Sequence, residues 1–209
     1  FGKMGASRLA RTLCASAASA ALHSVYGTRL GVDPEDMVHS RLIIAWGTNT
    51  LHTNVHQFPI MEEARRNGAV LVVIDPYRHE TAEKADIHLQ IKPGTDSALA
   101  LGMMHVLIQN DQLDHAYIAS HLQGFEELKK RVKPYTPAHV ASITGLSEQE
   151  IIEFTQLYAS TKASLIRCGF GPQRHTTGGE IIRTLAVLPA LTGAWQELGG
   201  GFLRDNKDV

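Results

Sequence analysis

Two largely apolar runs without alternation, Arg41-Leu42-Ile43-Ile44-Ala45-Trp46 and Ala69 to Ile74, constrain this chain more than any other feature of its sequence. A strand with one face in water alternates apolar and polar residues, so a run without alternation belongs to a strand covered on both faces. Between the runs, residues 55–67 alternate apolar and charged side chains at helical spacing and close on Asn67-Gly68. Strand, helix and strand within about thirty-five residues make a βαβ unit, whose strands are parallel and whose crossover is right-handed.

The flanking segments extend this pattern. Residues 7–26 are rich in Ala and Leu, lack Pro and Gly, and are followed by Gly27, which predicts a helix with Cys14 in its early part. A third strand is expected over 87–91, bounded by Pro93-Gly94, with Asp96 capping a helix that runs to Gln109. Residues 114–160 read as several short helices broken by Pro134 and Pro137, one of them opened by a Ser147/Glu150 capping box. A fourth strand is expected over 164–168 and a helix over 180–191. No repeat or flexible linker is visible. The expected architecture is therefore one α/β domain over 1–209, a doubly wound, mostly parallel, Rossmann-like sheet. Residues 1–40 would be a leading helical segment, and 175–209 would cross toward a neighbouring domain.

The 209 residues suffice to bury roughly 70% of the unfolded chain's surface. With 20 Lys and Arg against 21 Asp and Glu the net charge is -1, which argues against a general nucleic-acid binder, since that needs a basic excess. Two cysteines cannot form a disulfide framework, so nothing requires an oxidising compartment and the balance tips only slightly toward the cytoplasm. Residues 12–25 carry little charge but are too short to span a bilayer, so no membrane insertion is expected. Opening on Phe1, the chain reads as a piece of a longer one. The missing leader then leaves a periplasmic parent open.

Three expected strands end in small or special residues: Gly47-Thr48-Asn49, Asp75-Pro76 and Gly169-Phe170-Gly171. In an open parallel sheet ligands bind beyond the carboxyl ends of the strands, where glycines let backbone amides approach a phosphate. Asp75 stands where a dinucleotide fold places a carboxylate on a ribose hydroxyl. Turn residues at any strand end are the plainer explanation. The nicotinamide fingerprint G-x-G-x-x-G is missing after the first strand, which disfavours an NAD enzyme. Asp96 has two readings, a helix cap or a carboxylate that accepts the N–H donors of a purine. Cys14 is either inert packing or, beside a cofactor-borne metal, a thiolate ligand. His52 and His56 lack a third ligand in their element, and Cys168 reads as core.

Several blocks together resemble one family. Trp46-Gly47-Thr48-Asn49, Glu63 to Ala69, Ile74-Asp75-Pro76-Tyr77-Arg78, Thr81 to Asp86, Pro93 to Leu99 and Leu191-Thr192-Gly193 are similar, in order and spacing, to the molybdopterin oxidoreductases of the dimethyl-sulfoxide-reductase type. The likeness covers nearly the whole chain. It implies a bis(molybdopterin guanine dinucleotide) cofactor with molybdenum or tungsten, in a multidomain parent often carrying a 4Fe-4S cluster. This chain would be the dinucleotide-binding α/β domain of that parent. The implied reaction is a two-electron oxidation or reduction, often oxygen-atom transfer, on a small-molecule substrate. The remaining domains and a redox partner or electron-transfer subunit would be needed, and this piece alone would be inactive.

By the same likeness Gly47 and Asn49 approach the cofactor's phosphates, and Asp75, Pro76 and Arg78 contact the ribose and phosphate of one guanosine. Asp96 reads its guanine, and Gly94 before it is a further expected cofactor contact. Gly171 lies in a second cofactor-facing turn with Gln173 or Arg174 as its polar contact. Cys14, counted back from Gly27, falls where the family places the residue that ligates the metal, which makes it the expected catalytic residue. The next residue is Ala15, whereas formate dehydrogenases of the family carry a histidine there, which counts against formate. No cysteine quartet for an iron-sulfur cluster lies in the 209 residues. The rival reading is a nucleotide-binding or structural α/β domain without a redox role.

Overall fold

The computed structural model describes residues 2–7 and 12–205, with backbone alone at 12–14. The first part of the helix expected over 7–26 thus lies outside the described residues, and α1 runs Thr12–Tyr26. Gly27 ends it in left-handed geometry (φ 71°), its N–H donating to the His23 carbonyl. The central unit follows as β1 (Leu42–Trp46), α2 (Thr50–Thr53), α3 (Gln57–Arg66) and β2 (Val70–Ile74), then α4 (Glu80–Glu83) and β3 (Ile87–Leu89). Next come α5 (Asp96–Gln109), α6 (His115–His121), α7 (Phe125–Val132), α8 (Pro137–Thr144) and α9 (Glu148–Ser160). The chain closes with β4 (Ser164–Cys168), α10 (Gly178–Thr192) and β5 (Gly201–Leu203).

Among the described residues the sheet has five strands in the order β3-β2-β1-β4-β5, and every pairing is parallel. The apolar runs do what their lack of alternation requires. Leu42, Ile44 and Trp46 enter a core shared with α1, α5, α9 and α10, while Ile43 and Ala45 enter a second core with Met61 of α3 and Ala82 of α4. Helices cover both faces, so the fold is doubly wound. The capping box is present: Glu150 N–H donates to Ser147 Oγ, and Ser147 N–H donates to the Glu150 carboxylate at 2.7 Å.

Two expectations need correction. The sheet has a fifth strand beyond the four read from the sequence. Its three residues follow a glycine run, a local composition that disfavours strands, and only pairing with β4 gives them one. Glycine is required at Gly201, where φ is 111° and a Cβ would sit 2.8 Å from the Trp195 ring. The segment from 175, expected to cross toward another domain, supplies α10 and β5 of this sheet as far as Leu203.

Candidate functional site

Strand order fixes where a ligand can sit. The chain leaves β1 toward β2 on one side and β4 toward β5 on the other, so the crevice opens beyond the carboxyl ends of β1 and β4. Gly47 and Gly169 close those ends. Gly47 N–H donates to Ile74 O and Gly169 N–H to Trp46 O, both at 2.8 Å. A Cβ on Gly169 would lie 2.0 Å from the Gly47 carbonyl oxygen, and one on Gly47 (φ 60°) 2.4 Å from Pro172 Cδ. A Cβ on Gly171 would also face the Gly47 carbonyl, at 3.4 Å. At Gly169 the two loops meet main chain to main chain and at Gly47 main chain to the Pro172 ring, a close-packed floor at the ends of β1 and β4.

Asp96 is not the helix cap expected of it. Thr95 occupies the N-cap position without a side-chain cap bond, and Asp96 is the first helical residue. Its Oδ1 instead accepts from Trp46 Nε1 at 2.8 Å, a bond between two buried residues fifty positions apart. Burial raises the Asp96 pKa; the Trp46 hydrogen bond, its own amide and His175 pull it down, and the charge of Asp75 pushes it up. Gly94 (φ 78°) turns the chain into α5 directly against His175, whose Nδ1 lies 3.1 Å from where its Cβ would be.

A consequence can be measured. A carboxyl whose native pKa is raised costs stability above that pKa, and the penalty fades as pH falls through it and the proton is taken up. Asp96→Asn, whose amide oxygen can still accept from Trp46, is expected to raise the Tm of the ligand-free protein at pH 7. The gain should vanish toward pH 3. A variant no more stable than the parent at pH 7 would contradict this.

Asp75 Oδ1 accepts from Tyr77 N–H at 2.9 Å, and Oδ2 lies 3.5 Å from Nε2 of buried His79. His79 Nδ1 accepts from Ala82 N–H, so the ring's proton sits on Nε2, toward Asp75. That distance is too long for a hydrogen bond, and the buried Nε2 makes no other. Asn49 ties the first loop to α4: Thr81 Oγ1 accepts from Leu51 N–H and donates to Asn49 Oδ1 at 2.8 Å. With its carbonyl engaged, the side-chain NH₂ of Asn49 is the end an anion can use. Pro76 and Arg78 are exposed, and Pro76 O accepts from Gln90 Nε2. Arg78 lines a surface depression with His88, Gln90, Gly145 and Glu150.

Gln173 and Arg174 part company. Gln173 is buried and its Oε1 accepts from Ala18 N–H of α1 at 3.3 Å, whereas Arg174 is exposed. Ala17 O lies 3.6 Å from a Cβ on Gly179, and Tyr26 Oη donates to Ala186 O, so α1 runs parallel to α10. Its N-terminal end therefore stands at the carboxyl edge of β4. Cys14 is in that first turn, and its side chain lies outside the described residues. Cys168 is buried core, with burial pushing its thiol up to about 12. His52 Nε2 meets Glu80 at 2.5 Å, and among the described residues no group of three or more His, Cys, Asp or Glu could hold a metal.

Sequence reasoning missed three groups at this edge. Trp46 acts through its N–H as well as its bulk. Arg167 is buried, its Nε donating to Gln57 Oε1 at 2.6 Å and its Nη1 to Cys168 O; burial, aided by Arg204, lowers its pKa. Arg204, just past β5, is buried over the Phe170 ring at 4.2 Å and pairs with Asp205. A lone Arg inside the run Leu165-Ile166-Arg167-Cys168 was the available signal, since buried charge needs a reason.

The chain matches the family model described as molybdopterin oxidoreductase over residues 4–204. It is 46% identical over 209 residues to the probable oxidoreductase YoaE of Bacillus subtilis, covering all of this chain and 31% of that protein. It is 39% identical over 152 residues to formate dehydrogenase H of Escherichia coli, covering 73% of this chain and 21% of that protein. Among solved structures it is similar to acetylene hydratase from Pelobacter acetylenicus, with a TM-score of 0.80 and 31% identity over 87% of this chain and 25% of the other. The chain thus spans less than a third of the length of these proteins.

Proposed function

Because the chain belongs to the molybdopterin oxidoreductase family, we propose that its carboxyl edge holds a guanine dinucleotide arm of a molybdopterin cofactor in an oxidoreductase larger than this chain. The observation that carries the reading is the placing of the Gly47/Gly169 floor, Asp75 after β2 and the buried Asp96 held by Trp46 along one carboxyl edge of the sheet. The residues present fit the group. The Gly171 N–H and the Asn49 NH₂ offer positive ends to phosphate, while Gly47, its own N–H spent on Ile74 O, contributes close approach. Asp75 accepts from ribose hydroxyls, and Arg78 is the candidate cation for phosphate. Asp96, one oxygen already served by Trp46, keeps acceptor capacity for the N–H donors of guanine. Gln173 is assigned to fastening α1 to this edge, which leaves Arg174 as the exposed polar contact of its turn.

The bound cofactor supplies a molybdenum or tungsten centre able to exchange two electrons or an oxygen atom with a small substrate. This chain's part is to bind and orient it, with Cys14 at the edge-facing end of α1 as the proposed metal ligand. Electrons would leave through partners outside these residues, a 4Fe-4S cluster and a redox subunit. Ala15 beside the ligand offers no proton carrier, so a substrate other than formate is favoured.

The test is metal analysis, pterin fluorescence and acid release of nucleotide from the full-length protein. Stoichiometric molybdenum or tungsten with a pterin and GMP is the expected result. A metal-free protein holding a simple nucleotide would replace this reading with the non-redox one.

A further inference from the structure

We propose that Trp46 is a positioning residue for the nucleotide base, its indole N–H holding the Asp96 carboxylate in the one orientation from which it accepts the N–H groups of guanine. The inference rests on the reading that Asp96 faces guanine. Trp46 is the last residue of β1 and fully buried, and the register sets it between Ile74 and Cys168. A buried indole N–H needs an acceptor. The one it has is the Asp96 carboxylate, which is 5% exposed and lies at the mouth of α5.

The pairing does two things that an apolar ring could not. An indole is a donor only, so it occupies one oxygen of Asp96 without competing for the acceptors of a ligand. It is also neutral, so it favours the ionised carboxylate against burial without placing a second charge at the site, and its hydrogen bond lowers the Asp96 pKa where burial raises it. Because β1 is central in the sheet and Trp46 packs in the main core, the donor cannot swing away. Rotation of the carboxylate is thereby stopped, and the remaining lone pairs point at whatever enters the crevice. A base with two adjacent N–H donors matches such a fixed carboxylate, and one lacking the second donor does not.

The experiment uses the full-length protein expressed in a host unable to make molybdopterin, with GDP and inosine diphosphate as probes by calorimetry. Inosine diphosphate lacks only the 2-amino group of guanine. The parent should bind GDP about tenfold or more tightly than inosine diphosphate, the weight of one hydrogen bond to a charged acceptor. In Trp46→Phe that ratio should fall toward unity, and the loss of GDP affinity on acidification should move to higher pH. A merely structural role for Trp46 would weaken both nucleotides alike and leave the pH midpoint in place. Should Trp46→Phe not fold, the benzothiophene isostere of tryptophan at position 46 removes the N–H with nearly the same volume. A parent that discriminates, with variants that discriminate equally, overturns the role of Trp46 alone. A parent that does not discriminate overturns the guanine reading of Asp96 and this inference with it.

Discussion

Gly169→Ala is expected to unseat the cofactor and to cost about 3 kcal/mol of stability, from overpacking together with a lost backbone hydrogen bond. The added methyl would lie 2.0 Å from the Gly47 carbonyl oxygen and 2.8 Å from its carbon. These are main-chain atoms, which no rotamer change can move. Relief requires β1 and β4 to part at their carboxyl ends, breaking the bond from Gly169 N–H to Trp46 O and spoiling the floor on which phosphate would rest. For a chain of this size the loss corresponds to a Tm lower by roughly 6–12 °C, readable by calorimetry beside pterin content. Gly171→Ala is the internal control. Its methyl would be 3.4 Å from the same oxygen, an ordinary contact, so its stability should stay within about 1 kcal/mol of the parent. A Gly169→Ala variant with parental melting and full pterin content would refute the close approach.

Cys14→Ala in the full-length protein is expected to keep the pterin yet lower turnover by more than about a hundredfold, since even groups that only support metal ligands cost ten- to a hundredfold when removed. The geometry behind this is the course of α1. Ala18 N–H binds Gln173 beyond β4, Ala17 lies against Gly179, and Tyr26 reaches Ala186, so the first turn of the helix is the end at the carboxyl edge of β4. A soft thiolate there suits a metal already held by sulfur. X-ray absorption should show one fewer sulfur neighbour at the metal. An active variant with unchanged sulfur coordination would remove Cys14 from the metal.

Four strands and the major helices were legible because their signals are local. Covered strands announce themselves by unbroken apolar runs, and helix ends by Gly27, Pro137 and the Ser147/Glu150 box, within a few residues of where they act. β5 was not legible, since three residues after a glycine run form a strand only when β4 supplies the partner. Among the proposed site residues, the positions of Gly47, Asp75 and Asp96 at strand and helix ends were legible in the sequence. Gln173 could not be told from Arg174, because burial against α1 separates them and burial is not a property of two adjacent polar letters.

The sequence by itself thus determined the parallel α/β class and most of the residue types assembled at the carboxyl edge of the sheet, through periodicities that act over one or two turns of chain. Only the tertiary structure decided that Asp96 answers Trp46 rather than its own helix, that Gly169 lies on Gly47, and that two arginines are buried at the same edge. Those pairings join residues up to more than a hundred positions apart. They depend on which strands lie side by side and in what register, and that is set by the packing of the whole sheet between its helices.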